Sequence, residues 1–215
     1  MKRTPNSLVQ ILLTLLVSLG LSAQDLKPIE LPRPDTTGGK PLMEALKNRK
    51  STRSFSTEKL SKQLLSNLLW AAFGINRPDG HRTAPSAMNW QEIDIYVALE
   101  EGLYVYNPKS HALDPVLKDD IREKTGGQAF VKDAPVNFVY VADMSKTKRA
   151  SQDDQMLYTG ADCGFIAQNA YLFCASEGLA CVVRGSVDRT VLSKVMNLRP
   201  EQKIVLAQTI GYPKK

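Results

Sequence analysis

Arg49, Ser51 and Arg53, within the run RKSTRSF, place two guanidinium forks and a hydroxyl at alternate positions of the chain. In extended backbone such residues point the same way. A phosphate monoester suits that grouping, because arginine gives bidentate charge-assisted bonds and the hydroxyl completes the shell. Lys50 adds charge between them. Equally, the run reads as a basic helix end lying favourably on its own macrodipole. A second run, RTAPSAMN, ends at Asn89. Pro85 fixes its course, Ser86 and Ala87 are small enough to let backbone approach a flat ligand, and Asn89 offers donor and acceptor to a ring edge of alternating carbonyl and imine groups. Alone, it also reads as a polar loop between a helix and a strand.

Other chemistries find less support. His81 and His111 are the two histidines, and no GxSxG, HExxH or P-loop pattern occurs, so hydrolase and kinase readings lack their nucleophiles and ligands. Asp119-Asp120 and Asp153-Asp154 are adjacent pairs, and neighbours on a helix do not face each other, so both read as solvated surface. Cys163, Cys174 and Cys181 are odd in number and lack metal-ligand spacing; they read as small core residues, a Cys174–Cys181 disulfide is left open, and no metal is expected. The formal charge of +6 drops by two without Lys2 and Arg3, and the remaining cations are scattered rather than striped, which argues against nucleic acid.

The elements that must position the two runs follow from periodicity. Leu42 to Lys50 and Leu60 to Phe73 have apolar residues at helical spacing; Ser56-Thr57-Glu58 opens the second helix and Gly74 stops it. Pro78-Asp79-Gly80 is a turn. Ile93–Leu99 and Leu103–Tyr106, joined through Gly102, predict a β-hairpin ended by Asn107-Pro108. Val136–Ala142 is a strand entered through Ala134-Pro135. Tyr158–Ser176 is a long helix, apolar almost all round and so expected to be buried on every side, with Gly178 as its cap. Leu179–Val183 and Ile204–Ile210 are further strands. The order, helices, hairpin, helix, strand, long helix, strand, helix, strand, predicts an α+β fold with helices on both faces of a largely antiparallel sheet.

Residues 1–23 carry the marks of a cleaved signal peptide: Lys2-Arg3, an apolar run from Leu8 to Leu21, and small residues at Leu21-Ser22-Ala23. The run is short of the roughly 20 apolar residues of a membrane span. The expectation is export, to the periplasm, with Gln24 as the first mature residue. Residues 24–40, with Pro28, Pro32 and Pro34, form an extended lead-in, and 41–215 form one domain.

Taken together, RKSTRSF and RTAPSAMN read as a flavin mononucleotide site, and their order and separation resemble the nitroreductase family, in which an Arg-x-Ser-x-Arg segment precedes a Pro-Ser-x-x-Asn loop. The likeness continues through Asp133-Ala134-Pro135, Gly160-Ala161-Asp162, Gln168-Asn169, Glu177-Gly178-Leu179, Arg184-Gly185 and Gly211-Tyr212-Pro213, covering Leu42 to Lys215. The stretch Trp70 to Ala87 is most similar to the subgroup that includes thiazole/oxazole-forming dehydrogenases. The resemblance implies a homodimer with FMN in each of two interface sites. Arg49, Lys50, Ser51 and Arg53 would hold the ribityl phosphate and pyrimidine side; Pro85, Ser86, Ala87 and Asn89 would come from the partner subunit. Arg184 and Gly185 would present backbone near the reactive N5, and the long helix would form much of the interface. Family members often continue into a tail carrying further basic phosphate ligands; in this sequence Lys214 and Lys215 read either as substitutes for those ligands or as a solvated end. Met88 and Trp90 flank Asn89 with unusual bulk and, with His81, are assigned to the substrate pocket. The implied activity is FMN-dependent transfer of electrons or hydride from a donor such as NAD(P)H to a nitro-, quinone- or other small organic acceptor, by a two-step exchange. The alternatives are a flavin-dependent dehydrogenase of another substrate and a non-catalytic flavin-binding protein of the cell envelope.

Overall fold

The computed structural model describes residues 26–214. The signal-peptide reading and Lys215 therefore lie outside the described residues. Seven strands, β1 (Ile29–Glu30), β2 (Ile93–Leu99), β3 (Gly102–Asn107), β4 (Ala112–Leu117), β5 (Val136–Asp143), β6 (Ala180–Arg184) and β7 (Gln202–Gly211), accompany five helices. These are α1 (Leu42–Asn48), α2 (Lys62–Phe73), α3 (Phe130–Asp133), α4 (Gln152–Glu177) and α5 (Arg189–Val195). The strands form one sheet in the order β1-β4-β3-β2-β5-β7-β6, and every pairing is antiparallel.

Period-two alternation assigns the two faces. Along β2, Ile93, Ile95, Val97 and Leu99 join the larger core under α2 and α4, while Tyr96 and Ala98 join a second core with Leu192 and Met196 at α5. β5 divides the same way, with Phe138 and Tyr140 on the first face and Val139 and Val141 on the second. The expected α+β fold, with helices on both faces of an antiparallel sheet, is what forms.

Three local expectations are corrected. α2 begins at Lys62 rather than in the Ser56–Leu60 region, because Ser61, with β-region φ and ψ, accepts the Leu64 N–H on its hydroxyl and caps the helix. The segment after the hairpin holds another strand, β4, despite Pro115. β1 covers only Ala112 and Leu113, so Pro115, registered against Tyr104 of β3, lies where β4 has one free edge, the setting in which a strand tolerates proline. α4 is not buried on every side of this chain: Cys163, Ile166, Ala167, Ala170 and Cys174 enter the core, whereas Met156, Leu157, Tyr158 and Phe165 are exposed. The three cysteines are buried and free, and the Gln208 side-chain amide approaches Cys181 Sγ at 2.9 Å.

The lead-in is tied down rather than loose. β1 extends the sheet, and Ser66 Oγ donates to the Pro32 carbonyl at 2.6 Å. The same hydroxyl lies 2.7 Å from His111 Nε2, and His111 Nδ1 lies 2.9 Å from the Tyr106 hydroxyl. One proton arrangement satisfies all three contacts: Ser66 gives its proton to Pro32, His111 Nε2–H donates to Ser66, and Tyr106 donates to Nδ1. It requires neutral imidazole, and burial holds the His111 pKa below its ordinary 6.5. Because the folded value is depressed for a base, this clasp is complete above 6.5 and is lost as pH falls through the lowered value. Proteolysis at Arg33 is therefore expected to accelerate on acidification, and His111→Gln, which keeps hydrogen-bonding groups without titrating, should flatten that dependence.

Candidate functional site

At the end of α1 the backbone leaves helical geometry at Arg49 (φ −58, ψ 118) and runs extended beside the free edge of β6. Thr52 N–H donates to the Cys181 carbonyl at 2.9 Å. Phe55 bridges to Pro213, Ser56 N–H donates to the Tyr212 carbonyl, and Lys214 N–H reaches the Ser54 carbonyl at 3.3 Å. The C-terminus thus returns Lys214 to the flank of RKSTRSF, a juxtaposition that 160 residues of intervening chain do not announce.

Tyr171 on α4 organises this edge. Its hydroxyl accepts the Val183 N–H at 2.8 Å and lies 2.9 Å from Ser51 Oγ, while the Arg49 guanidinium stands 5.4 Å from the centre of its ring. With the tyrosine proton given to Ser51, the serine proton is free to donate outward. Lys50, Ser51, Arg53 and Lys214 are exposed and Arg49 is half-buried. Among the described residues, no ion pair neutralises any of these four cations. Lys50, Thr52, Tyr171, Leu179 and Pro213 border a cleft of about 380 Å³ beside them.

Arg184 is placed differently by side chain and by backbone. Alternation along β6 sends its side chain to the face opposite α4, where it is 4% exposed. There Nε donates to Thr209 Oγ1 at 2.9 Å, Nη1 to the Thr125 carbonyl at 2.6 Å, and Nη2 to Thr125 Oγ1 and Asn137 Oδ1 at 3.2 and 3.1 Å. Burial pulls its pKa down to about 10, so it stays charged at neutral pH. The guanidinium is fully engaged in packing, and what faces outward at the strand end is the backbone of exposed Gly185.

In RTAPSAMN the chain turns sharply. Met88 and Asn89 have φ of 52° and Gln91 of 47°, a run of left-handed residues that non-glycine side chains disfavour. Ser86 Oγ accepts the Gln91 N–H at 2.8 Å and donates to Glu92 Oε2 at 3.2 Å. Ala87 N–H donates to Asp162 Oδ2 of α4 at 2.8 Å, and Asn89 Oδ1 accepts from Gln91 Nε2 at 2.9 Å, which leaves the Asn89 amide group as donor. Pro85 and Asn89 are exposed, and Met88 projects, 81% exposed. Trp90 instead lies edge-on to Tyr158 of α4, ring centres 5.9 Å apart. His81 sits across the cleft with its Nδ1 2.9 Å from Asp79 Oδ1.

Within one chain the two runs do not share a cavity. Pro85, Ser86 and Asn89 border a separate cleft of about 260 Å³ with Arg77, His81 and Arg82. Ala87 is fixed at Asp162 and Ser51 at Tyr171, and those anchor points are about 13 Å apart along the axis of α4. Along this stretch the helix exposes Gly164 and Phe165, and Gly160 just before it; a side chain added at either glycine would meet nothing within 4 Å. Sequence reasoning missed Tyr171, Glu92 and Asp162. The signal was present for Asp162, a lone acid in an otherwise apolar turn, but not for Tyr171, whose hydroxyl matters only through what the fold lays beside it.

The Nitroreductase family profile matches residues 46–212. Two relatives bear the name "putative nitroreductase". One, from Methanocaldococcus jannaschii, is 29% identical over 181 residues, spanning 80% of this chain and 91% of that protein. The other, from Ralstonia eutropha JMP134, has a crystal structure that superposes with a TM-score of 0.85 at 44% identity, covering 88% of this chain and 91% of that one. The FMN reductase [NAD(P)H] of Bacillus subtilis is 23% identical over 158 residues, 68% of this chain and 54% of its own length. The Escherichia coli microcin synthetase McbBCD complex shares the fold, at a TM-score of 0.68 and 21% identity over 90% of this chain and 80% of that one. With the fold, the two runs and the matched span in agreement, this chain belongs to the nitroreductase family and is an oxidoreductase.

Proposed function

We propose that this protein is an FMN-dependent oxidoreductase acting as a homodimer. It takes reducing equivalents from a donor such as NADH or NADPH, releases the spent donor, and passes them to a nitro-, quinone- or other small organic acceptor at the same face. The observation that carries this reading is the unneutralised set Arg49, Lys50, Arg53 and Lys214 beside the free edge of β6. Guanidinium forks, ammonium groups and a hydroxyl gathered in one place match the acceptor oxygens of a phosphate monoester. The residues fit FMN: cations and the outward Ser51 hydroxyl for the phosphate, and edge backbone at Gly185 for the ring. When bound, FMN supplies the two-electron exchange. The chain binds the phosphate, orients the ring against β6, and places positive charge and backbone donors where negative charge grows on the reduced ring.

The split of the site supports the homodimer. RTAPSAMN stands in its own cleft, about 13 Å along α4 from the basic edge, and the two helices leave apolar side chains exposed: Leu157, Tyr158 and Phe165 on α4, with Leu42, Met43 and Leu46 on α1. A two-fold pairing along α4 covers these side chains and brings one protomer's Pro85–Asn89 loop to its partner's cofactor. Met88, Trp90 and His81 then border the acceptor space. The leader-like residues 1–23 support export, which makes a donor other than NAD(P)H a live outcome of the test. Purified protein should be yellow, bleach with its donor, and recover its colour when an acceptor is added. Yellow protein that no donor bleaches would mean a flavin-binding module, and colourless protein that takes up no added FMN would overturn the cofactor assignment.

A further inference from the structure

Beneath the Pro85–Asn89 loop lie two acids that the redox reading does not use. Glu92 is 0% and Asp162 2% exposed, and their carboxyl groups hold neighbouring residues of the loop, Ser86 and Ala87. Each holds the loop by one oxygen, Glu92 Oε2 through Ser86 Oγ and Asp162 Oδ2 through Ala87 N–H. Glu92 Oε1 is buried and, with both groups ionised, has no hydrogen-bond partner.

Among the described residues, no cation packed around the pair forms an ion pair with it. Lys146, from the turn after β5, directs its ammonium to the Gln91 carbonyl at 2.9 Å and to Asp94 at 3.7 Å. Arg82 stands 4.4 Å over the Phe73 ring and donates to Gln91 Oε1. Asp143 meets Glu92 only through backbone, its N–H on the Glu92 carbonyl. Cys163, the next residue on α4, is a buried thiol pushed up to about 12 and so uncharged. Buried near Asp162 and away from any cation, the Glu92 carboxyl ionises only at a cost, whereas a proton on it lets the orphan oxygen act as a donor.

We propose that a proton on the buried Glu92 carboxyl lets Glu92 and Asp162 act together as a latch that holds the strained Ser86–Gln91 loop on α4, and that removing this proton as pH rises frees the loop. Burial, and after it the charge of Asp162, raises the Glu92 carboxyl above its ordinary 4.5. For an acid raised in the fold, the favourable contribution is complete below 4.5 and disappears as pH climbs through the raised value. Resting on the flavin reading above, the latch makes the half-site offered to the partner subunit pH-dependent, so turnover gains an alkaline limb that belongs to neither donor nor acceptor.

Trp90 reports the loop directly, since it packs on Tyr158. In the full-length Trp70→Phe protein, Trp90 emission should shift to the red in one transition as pH rises. Glu92→Gln, which mimics the protonated acid, should hold the acidic spectrum across the range, and Asp162→Asn should move the midpoint down by about one pH unit. A wild-type protein with no transition, or either variant titrating as the wild type does, would overturn the latch. If Glu92→Gln fails to fold, Asp162→Asn decides. The readout needs no flavin: a transition in protein that takes up no FMN keeps the latch and sinks the cofactor reading, while yellow, active protein with a silent Trp90 does the reverse.

Discussion

Replacing Arg49 and Arg53 together with alanine should weaken FMN binding by about 100-fold or more, since a hydrogen bond to a charged group contributes about 1.5–3 kcal/mol and each 1.4 kcal/mol is tenfold. Titration of FMN fluorescence quenching measures it. Thermal stability should hardly move, because Arg53 is exposed and Arg49 contributes only its stacking on Tyr171. That separation of binding from stability distinguishes a ligand site from a helix end sitting well on its dipole, for which the reverse pattern is expected. The affinity of the unaltered protein should also fall with added salt. A change in Kd of less than tenfold in the double variant would move the phosphate elsewhere.

Arg184→Met should cost about 3–5 kcal/mol of stability, lowering Tm by roughly 10 °C in calorimetry. The guanidinium makes four hydrogen bonds among Thr125, Asn137 and Thr209, and its loss leaves buried acceptors unpaired. Arg184→Lys should recover little, because an ammonium cannot span those acceptors in one plane. Gly126→Ala should act on the same network without touching the charge, since an added Cβ would collide with Arg184 Nη1. In protein that remains folded, FMN affinity should survive these changes, as the side chain points to the face of the sheet away from RKSTRSF. A selective loss of FMN in Arg184→Lys with Tm unchanged would show that the side chain, and not only the backbone, meets the cofactor.

The contrast between Arg49 and Arg184 shows what can be read from a chain. Both are arginines in family-like motifs, and neither motif by itself tells whether the side chain reaches a ligand. Strand parity does: β6 turns Val183 toward α4 and Arg184 away. The hairpin at Gly102 and the turn at Pro78-Asp79-Gly80 were legible because a few residues set their geometry. The start of α2 was less so, since Ser56 and Ser61 are equally good caps in isolation. Phe55, buried against Phe130, keeps the intervening chain extended and gives the role to Ser61.

By itself the sequence determined the fold class, the strand and helix order apart from β1 and β4, and the two runs that matter, because hydrophobic period and residue chemistry are local properties. Only the tertiary structure decided how they are used. It set RKSTRSF against an open strand edge with Lys214 beside it, put RTAPSAMN about 13 Å away along α4, and buried Glu92 with Asp162 beneath that loop. Each of these joins residues far apart in the chain, and their free energies, charge left unneutralised in one place and two acids forced together in another, exist only once folding has removed the water between them.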